Sequence, residues 1–315
     1  QKVKSILKKY KKNSRFVVGV SGGSDSLALA SIVNTIAKED NYKFFFAIVD
    51  HGLRKNSAIE AQKVKKLLRK RNIDITILKN KKKIINNIQK NAREIRYNLL
   101  SKFCKKKNAK SLIVAHHQDD QVETFLIRLS RGSGVEGLSS MREVTTINNS
   151  IRLIRPLLDF KKKELLKIAK TEFVEVIKDP SNKNKKFLRT NIRDLKKDLE
   201  KKGINFEKII RSIKNLALTK DAIDFYVAKS IKNFVSFEKK TTILNLRKFQ
   251  KEPQEIRFRI INNIVKDISN SYYPPRSKKI LNLIDAFQSN RIKKCTLGGC
   301  IFEKKKSFLH VSKEL

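Results

Sequence analysis

A parallel α/β sheet with helices on both faces, followed by a smaller and mostly helical domain, is the architecture this sequence predicts. Two observations carry it. Four short apolar runs, 16–20, 44–49, 73–78 and 112–115, alternate with helically spaced stretches, and strands separated by helices argue for parallel pairing with right-handed crossovers. After Gly203 the spacing becomes almost wholly helical, which sets the last third apart.

The elements follow in order. Phe16-Val17-Val18-Gly19-Val20 is β-branched and ends at a Ser/Gly cluster, and Ser24 to Ala37 repeats Leu27, Ala30, Ile32 and Ile36 at helical spacing. Strand 44–49, a helix near 57–70, strand 73–78, a long helix near 84–107 and Leu112-Ile113-Val114-Ala115 come next. From residue 151 the pattern changes to Ile151–Arg155, Pro156, a helix through Lys161–Lys170, a loop at Asp179-Pro180-Ser181-Asn182 and a helix starting near Phe187. The helical run, as in Ile256-Phe258-Ile260-Ile261-Ile264, reaches Pro274-Pro275, and Ile292–Val311 reads as a short β meander around Gly298-Gly299. The expected domains are 1–202 and 203–315.

The 315 residues, 40% hydrophobic, suffice for two cores without covalent staples. No stretch approaches the ~18 consecutive apolar residues of a membrane helix, and the first twenty residues lack a signal-peptide core, so no membrane partner and a cytoplasmic location are expected. Cys104, Cys295 and Cys300 form no C-x-x-C pair, which excludes a disulfide framework and a zinc ribbon; the last two read as strand residues about a turn. The net charge is +43, shared as +27 over residues 1–200 and +16 over 201–315. A polyanionic partner accounts for that excess through counterion release. A proteome rich in Lys, Ile and Asn would also produce it.

In parallel sheets ligands sit beyond the carboxyl ends of the strands. Ser21-Gly22-Gly23-Ser24-Asp25-Ser26 stands between a strand and a helix, where backbone amides and the positive helix end hold phosphate. Its glycines admit an anion closely, its serines add donors, and Asp25 offers a hard oxygen to magnesium. A plain capped turn needs only one such residue. No G-K-[ST] follows, and the pattern is not G-x-G-x-x-G. After the second strand comes Asp50-His51-Gly52-Leu53-Arg54, and after the fourth His116-His117-Gln118-Asp119-Asp120-Gln121-Val122-Glu123-Thr124, so three of the four histidines lie just past strand ends. On a helix over 118–130, Asp120, Glu123 and Thr124 share one face. Zinc would need a third neutral or thiolate ligand that does not appear.

Ser-Gly-Gly-x-Asp-Ser resembles the pyrophosphate loop of the N-type ATP pyrophosphatases, the PP-loop ATPases of adenine nucleotide alpha hydrolase-like fold. Together with Asp50–Arg54, Ala92-Arg93-Glu94-Ile95-Arg96-Tyr97, His116–Thr124, Arg128-Leu129-Ser130-Arg131-Gly132-Ser133-Gly134-Val135-Glu136-Gly137-Leu138, Arg155-Pro156-Leu157-Leu158, and Asp179–Asn182 followed by Arg189, Asn191 and Arg193, it is similar to the tRNA(Ile)-lysidine synthetase family over residues 14–200. Tyr272-Tyr273-Pro274-Pro275-Arg276-Ser277 and Leu297-Gly298-Gly299-Cys300 resemble that family's tRNA-binding region more loosely. The short length fits the form with one C-terminal domain, and position 1 is Gln, not an initiating Met.

The resemblance implies a ligase that uses ATP and magnesium to adenylate C2 of the wobble cytidine, position 34 of the CAU anticodon of tRNA(Ile), and then joins free L-lysine. It implies that Ser21–Ser26 hold the pyrophosphate, with His51 and Arg54 near the nucleotide and Asp25 on magnesium. Arg96, His116, Asp120, Glu123 and Arg189 would surround lysine and the base, with Asp25, His116 and Asp120 catalytic. Either His116 or a carboxylate could take the amine proton, and a homodimer stays open. Two rivals remain: a PP-loop enzyme of tRNA 2-thiolation, which needs cysteine pairs near the site, and a non-catalytic RNA-binding protein, which would release no AMP.

Overall fold

Strand β1 (Arg15–Val20) is central in a six-stranded sheet of order β3 (Ile75–Lys79), β2 (Lys43–Asp50), β1, β4 (Ser111–Ile113), β6 (Ile151–Ile154), β5 (Val144–Ile147). In this computed structural model, residues 1–53, 56–81, 84, 86–147, 150–177, 188–238, 241–269 and 275–314 are described, apart from the side chain of residue 197. Arg54, the Asp179–Asn182 loop and Tyr272-Tyr273-Pro274 lie outside the described residues.

The first five strands in that order run parallel, and β5 pairs antiparallel with β6 at the edge. Helix α1 (Lys2–Leu7) precedes β1; between the strands lie α2 (Ser24–Glu39), α3 (Ser57–Arg69), α4 (Ile88–Lys106), α5 (Gln118–Leu129) and α6 (Val135–Leu138), with α7 (Lys162–Glu172) and α8 (Leu188–Lys201) following β6. Side chains alternate across a strand, so each strand feeds two cores. Phe16, Val18, Val20 and Ile48 pack with Leu27 and Val33 of α2, Val64 and Leu68 of α3 and Leu165 of α7. Val17, Ala47, Leu112 and Leu153 pack on the other face with Tyr97, Leu100, Phe103 and Cys104 of α4. The expected helix-covered parallel sheet is therefore present, and Ile151–Ile154, where the pattern changed, continues it beside β4. The antiparallel β5 has four residues and two threonines, too short a signal to read.

The chain divides into two compact units, Gln1–Asn215 and Leu216–Leu315. Within the second, α11 (Gln254–Ser269) and α12 (Ser277–Gln288) accompany a five-stranded antiparallel sheet of order β7 (Val235–Phe237), β8 (Thr241–Asn245), β11 (Phe308–Lys313), β10 (Cys300–Lys305), β9 (Lys294–Leu297). The meander β9–β10–β11 was expected, whereas β7 and β8 interrupt what reads as a helical run. Helices α9 (Phe206–Phe234) and α10 (Leu246–Gln250) flank those two strands, so their periodicity overran the short ones. Gly298 and Gly299 both have positive φ, +64° and +77°, as a tight hairpin with the right-handed twist of its strands requires. Cys295 lies opposite Phe302 and Cys300 opposite Leu297. All three thiols are free; Cys104 and Cys300 are fully buried, and burial pushes the Cys104 thiol up to about 12. No described helix is long and apolar enough to cross a membrane.

Phe16 anchors the first core. Its ring lies edge-on to Tyr10 and Tyr42 at 5.3 and 5.7 Å and stacks on Phe44 at 5.4 Å. Phe16→Ala is expected to cost about 3–5 kcal/mol. Urea unfolding measures it, and a loss below about 1 kcal/mol would mean the cluster closes over the gap.

Candidate active site at the strand-order reversal

From β1 the chain runs outward to β2 and β3 on one side, then returns to place β4 and β6 on the other. At such a reversal the loops leaving the two central strands diverge and open a crevice at their carboxyl ends. The loop after β1 is Ser21–Gly23, and the segment after β4 carries His116 and His117.

The Ser21–Ser26 loop is shaped by one of its own hydroxyls. Ser26 Oγ accepts the Ser21 and Gly22 N–H groups at 3.1 and 3.2 Å and donates to the Gly23 carbonyl at 3.0 Å. Ser26 is buried, and its hydroxyl shapes the loop from within. Gly22 has φ +87°, and a Cβ there would stand 2.6 Å from Val64 Cγ2. Gly23 is the N-cap of α2 and no side chain caps that end, so the plain capped turn is not what forms here. A positive helix terminus without its own carboxylate or hydroxyl cap suits an anion.

Asp25, in the first turn of α2, meets α5 across the reversal. His117 Nε2 lies 3.5 Å from Asp25 Oδ2 and 3.6 Å from Asp120 Oδ2. The Ser24 hydroxyl donates to Asp25 Oδ1 at 3.1 Å. His117 is also the N-cap of α5: its Nδ1 accepts the Asp119 N–H at 3.2 Å, and its own N–H donates to Asp120 Oδ2 at 3.0 Å. Burial raises the Asp25 pKa, but the His117 hydrogen bond and charge and the Lys162 charge outweigh it and hold the carboxyl below its usual value. Burial likewise opposes protonation of His117, and the Asp25 hydrogen bond with the Asp120, Asp25 and Asp119 charges lifts it above 6.5. With Nδ1 accepting the Asp119 N–H, a ring proton lies on Nε2, the nitrogen that faces Asp25 and Asp120.

His116, the neighbouring residue, lives in the opposite field. Burial first, then the charges of Arg155, Arg96, Arg93 and Arg189, push its pKa well below 6.5. Its buried Nδ1 has no hydrogen-bond partner among the described residues. Arg96 makes no hydrogen bond or ion pair within 4 Å among the described residues, and burial, then Arg93, lower its pKa against the pull of Tyr97 and Asp120. Arg93 lies over the Tyr97 ring at 5.0 Å. Arg155 is fixed by the Arg142 carbonyl and the Thr145 hydroxyl.

Three charged contacts join α5 and α8. The Arg193 guanidinium binds Glu123 with two donors, the second at 3.1 Å, and stands 3.9 Å from Asp120; Lys196 pairs with Asp119 at 3.1 Å. Glu123 is buried, which raises its pKa, and Arg193 only partly counters this. Glu123, one of the residues expected around lysine and the base, is thus already paired with an arginine. Arg189, one turn before Arg193, contributes charge to His116 and Glu123. The glycine-rich stretch after α5 is held by Arg128, which donates to the Gly137 and Ser140 carbonyls, and by Gln121, which bonds Ser140 and Met141. After β2, Asp50 accepts the Gly52 N–H at 3.0 Å and the His51 carbonyl accepts from Asn80. Of the residues singled out by sequence, Asp25 and Asp120 meet through His117; Arg96, Arg189 and His116 share one electrostatic field. His117 and Arg193 were not among the chosen residues, although both stood inside quoted motifs.

Residues 1–199 match the PP-loop domain family. The chain is similar to the tRNA(Ile)-lysidine synthase of Wolbachia pipientis wMel, 36% identical over 297 residues that cover 93% of this chain and 69% of that protein. It is also similar to that of Rickettsia typhi (strain ATCC VR-144 / Wilmington), 33% identical over 305 residues, 96% of this chain and 70% of the other. A U34-tRNA thiolase from Methanococcus maripaludis shares the fold, with a TM-score of 0.57 and 21% identity over 69% of this chain and 77% of its own.

The depressed His116 pKa has a measurable consequence. Below 6.5 the unfolded chain takes up a proton at this ring that the folded chain refuses, so stability falls as the pH drops from 6.5 toward the lower folded value. His116→Gln is expected to flatten that slope in urea melts between roughly pH 5 and 6.5. An unchanged slope would show that His116 titrates at its ordinary value.

Proposed function

The chain belongs to the PP-loop family and, within it, to the tRNA(Ile)-lysidine synthases, and from that premise we propose how its own residues divide the work of an ATP-dependent tRNA ligase. The reaction joins AMP to the C2 oxygen of the wobble cytidine of tRNA(Ile), releasing pyrophosphate; the side-chain amine of lysine then attacks C2 and AMP leaves. A cytosine carbonyl is a poor electrophile, and a phosphate leaving group is what makes attack by an amine feasible.

The observation that carries this assignment is the meeting of Asp25 with His117 and Asp120 at the strand-order reversal. The first-turn amides of α2 and the loop Ser21–Ser24 receive the departing pyrophosphate, with Ser26 keeping the loop in shape. His51 and Arg54 flank the nucleotide. Magnesium fits Asp25, whose carboxyl is held anionic and partly exposed. No group of three His, Cys, Asp or Glu gathers as metal ligands among the described residues, which suits an ion that takes one carboxylate and otherwise water and substrate phosphates. There it would offset the charge growing on the leaving group.

Arg96, with no hydrogen-bonding partner of its own among the described residues, and Arg189 grip the lysine carboxylate. Asp120 meets an ammonium group, and Glu123, already engaged by Arg193, supplies the wall behind it. His116 takes the proton that the attacking amine sheds: it is neutral, and its Nδ1 awaits a donor. The surrounding arginines make it a weak base until anionic substrates offset their field. The cytoplasm, where ATP, lysine and tRNA meet, is the compartment we assign. Thiolation is not favoured, because Cys104 is sealed between α4 and the sheet.

Asp25→Ala should lower lysine transfer to an unmodified CAU transcript of tRNA(Ile) by about 100- to 1,000-fold, with the fold intact. Radiolabelled lysine and AMP release measure this, and normal ATP-dependent turnover would remove Asp25 from the mechanism. Affinity for tRNA should fall steeply between low and moderate salt; a flat response would mean that the +43 charge is compositional.

A further inference from the structure

We propose that His117 is a positioning residue that yokes the two halves of the site, orienting the Asp25 carboxylate with its Nε2–H while its backbone and Nδ1 fix Asp120 and the start of α5. The inference rests on the reaction proposed above.

Nδ1, the backbone N–H and the carbonyl of this residue are all hydrogen-bonded, the carbonyl to the Gln121 N–H at 3.2 Å, and Nε2 stands 3.5 Å from Asp25 and 3.6 Å from Asp120. The ring is buried, 3% exposed, and lies between two carboxylates that belong to different crossovers of the sheet. Nδ1 accepts the Asp119 N–H, which leaves the single ring proton on Nε2, the nitrogen facing Asp25 and Asp120. The backbone N–H holds Asp120 Oδ2. Asp25 has two oxygens with two different keepers: Ser24 donates to Oδ1, and His117 faces Oδ2. A carboxylate at a helix start would otherwise turn freely about its side-chain bonds. Held from both sides, it presents one face to the Ser21–Ser24 loop. Adenylation depends on where Asp25 points and lysine attack on where Asp120 points, and one imidazole sets both. A displacement of about 1 Å in such a group can lower a rate about 100-fold.

Two substitutions separate this role from simple helix capping. His117→Asn keeps a short side-chain acceptor for the Asp119 N–H but does not reach Asp25. His117→Gln carries a donor out to about the Nε2 position and loses the cap. Full-length wild type and both variants are assayed for pyrophosphate release with ATP and an unmodified CAU tRNA(Ile) transcript, first without lysine and then for radiolabelled lysine transfer, alongside urea midpoints. His117→Asn is expected to unfold near the wild-type midpoint yet release pyrophosphate about 100-fold more slowly, at an unchanged KM for ATP. His117→Gln is expected to have a lower midpoint and to remain within about tenfold of wild type. Wild-type pyrophosphate release by His117→Asn, or rates that track the midpoints, would overturn the proposal. Loss of activity in both folded variants would also overturn it, in favour of proton transfer by the ring. Absence of tRNA-dependent pyrophosphate release in the wild type would instead sink the reaction itself.

Discussion

The reversal of strand order between β1 and β4 is the constraint on which the site depends. Had β4 been added beyond β3, the loop after β1 would be closed over by a neighbouring crossover, and Asp25 would face a helix side chain. Because β4 returns to the other side of β1, two helix N-termini, those of α2 and α5, start from adjacent strands. A carboxylate in the first turn of one can then meet the N-cap histidine of the other. The two cores bury both faces of that sheet. Beyond the exposed Arg15 at its start, β1 carries only apolar side chains, Phe16 and Val18 on one face and Val17 on the other.

Consecutive histidines in opposite electrostatic surroundings are the second organising feature. His117 faces carboxylates and is drawn toward protonation, while His116 faces arginines and is driven from it. Burial opposes protonation of both; the carboxylates beside His117 outweigh it, whereas the arginines beside His116 add to it. The result is a site with a negative wall, Asp25, Asp119 and Asp120, about one imidazole and a positive wall, Arg93, Arg96, Arg155 and Arg189, about the other. A zwitterionic substrate such as an amino acid has complementary ends for such a pair of walls.

How much of this was legible in the sequence depended on what kind of signal each feature leaves. The four parallel strands announced themselves as apolar runs, and the loop after β1 as a dense cluster of Ser, Gly and Asp. Strands β5, β7 and β8 have three to five residues each and threonine or serine among them; β5 is too short to read, and the helical periodicities before and after β7 and β8 masked those two. Sequence could find the His116-His117 pair but not choose between its members. In the extended backbone of an N-cap, with φ −129° and ψ −173° at His117, adjacent side chains point to opposite sides, and which side faces Asp25 is fixed only by the sheet. Arg189 and Arg193 pose the same problem on a helix: one turn apart, they share a face, and packing against Glu123 selects the second. Charge gave a partner class and no surface, because the excess runs through both units.

The distribution of thiols gives each unit its own internal timer. Cys104 is enclosed by α4 against the parallel sheet, and Cys300 lies inside the antiparallel one; neither exposes any surface. A thiol that water cannot reach, and whose proton is held as tightly as that of Cys104, is inert to alkylating reagents until its surroundings open. Labelling at Cys104 therefore clocks the opening of the nucleotide-binding unit, and labelling at Cys300 that of the C-terminal one. The partly exposed Cys295 marks time zero in the same tube.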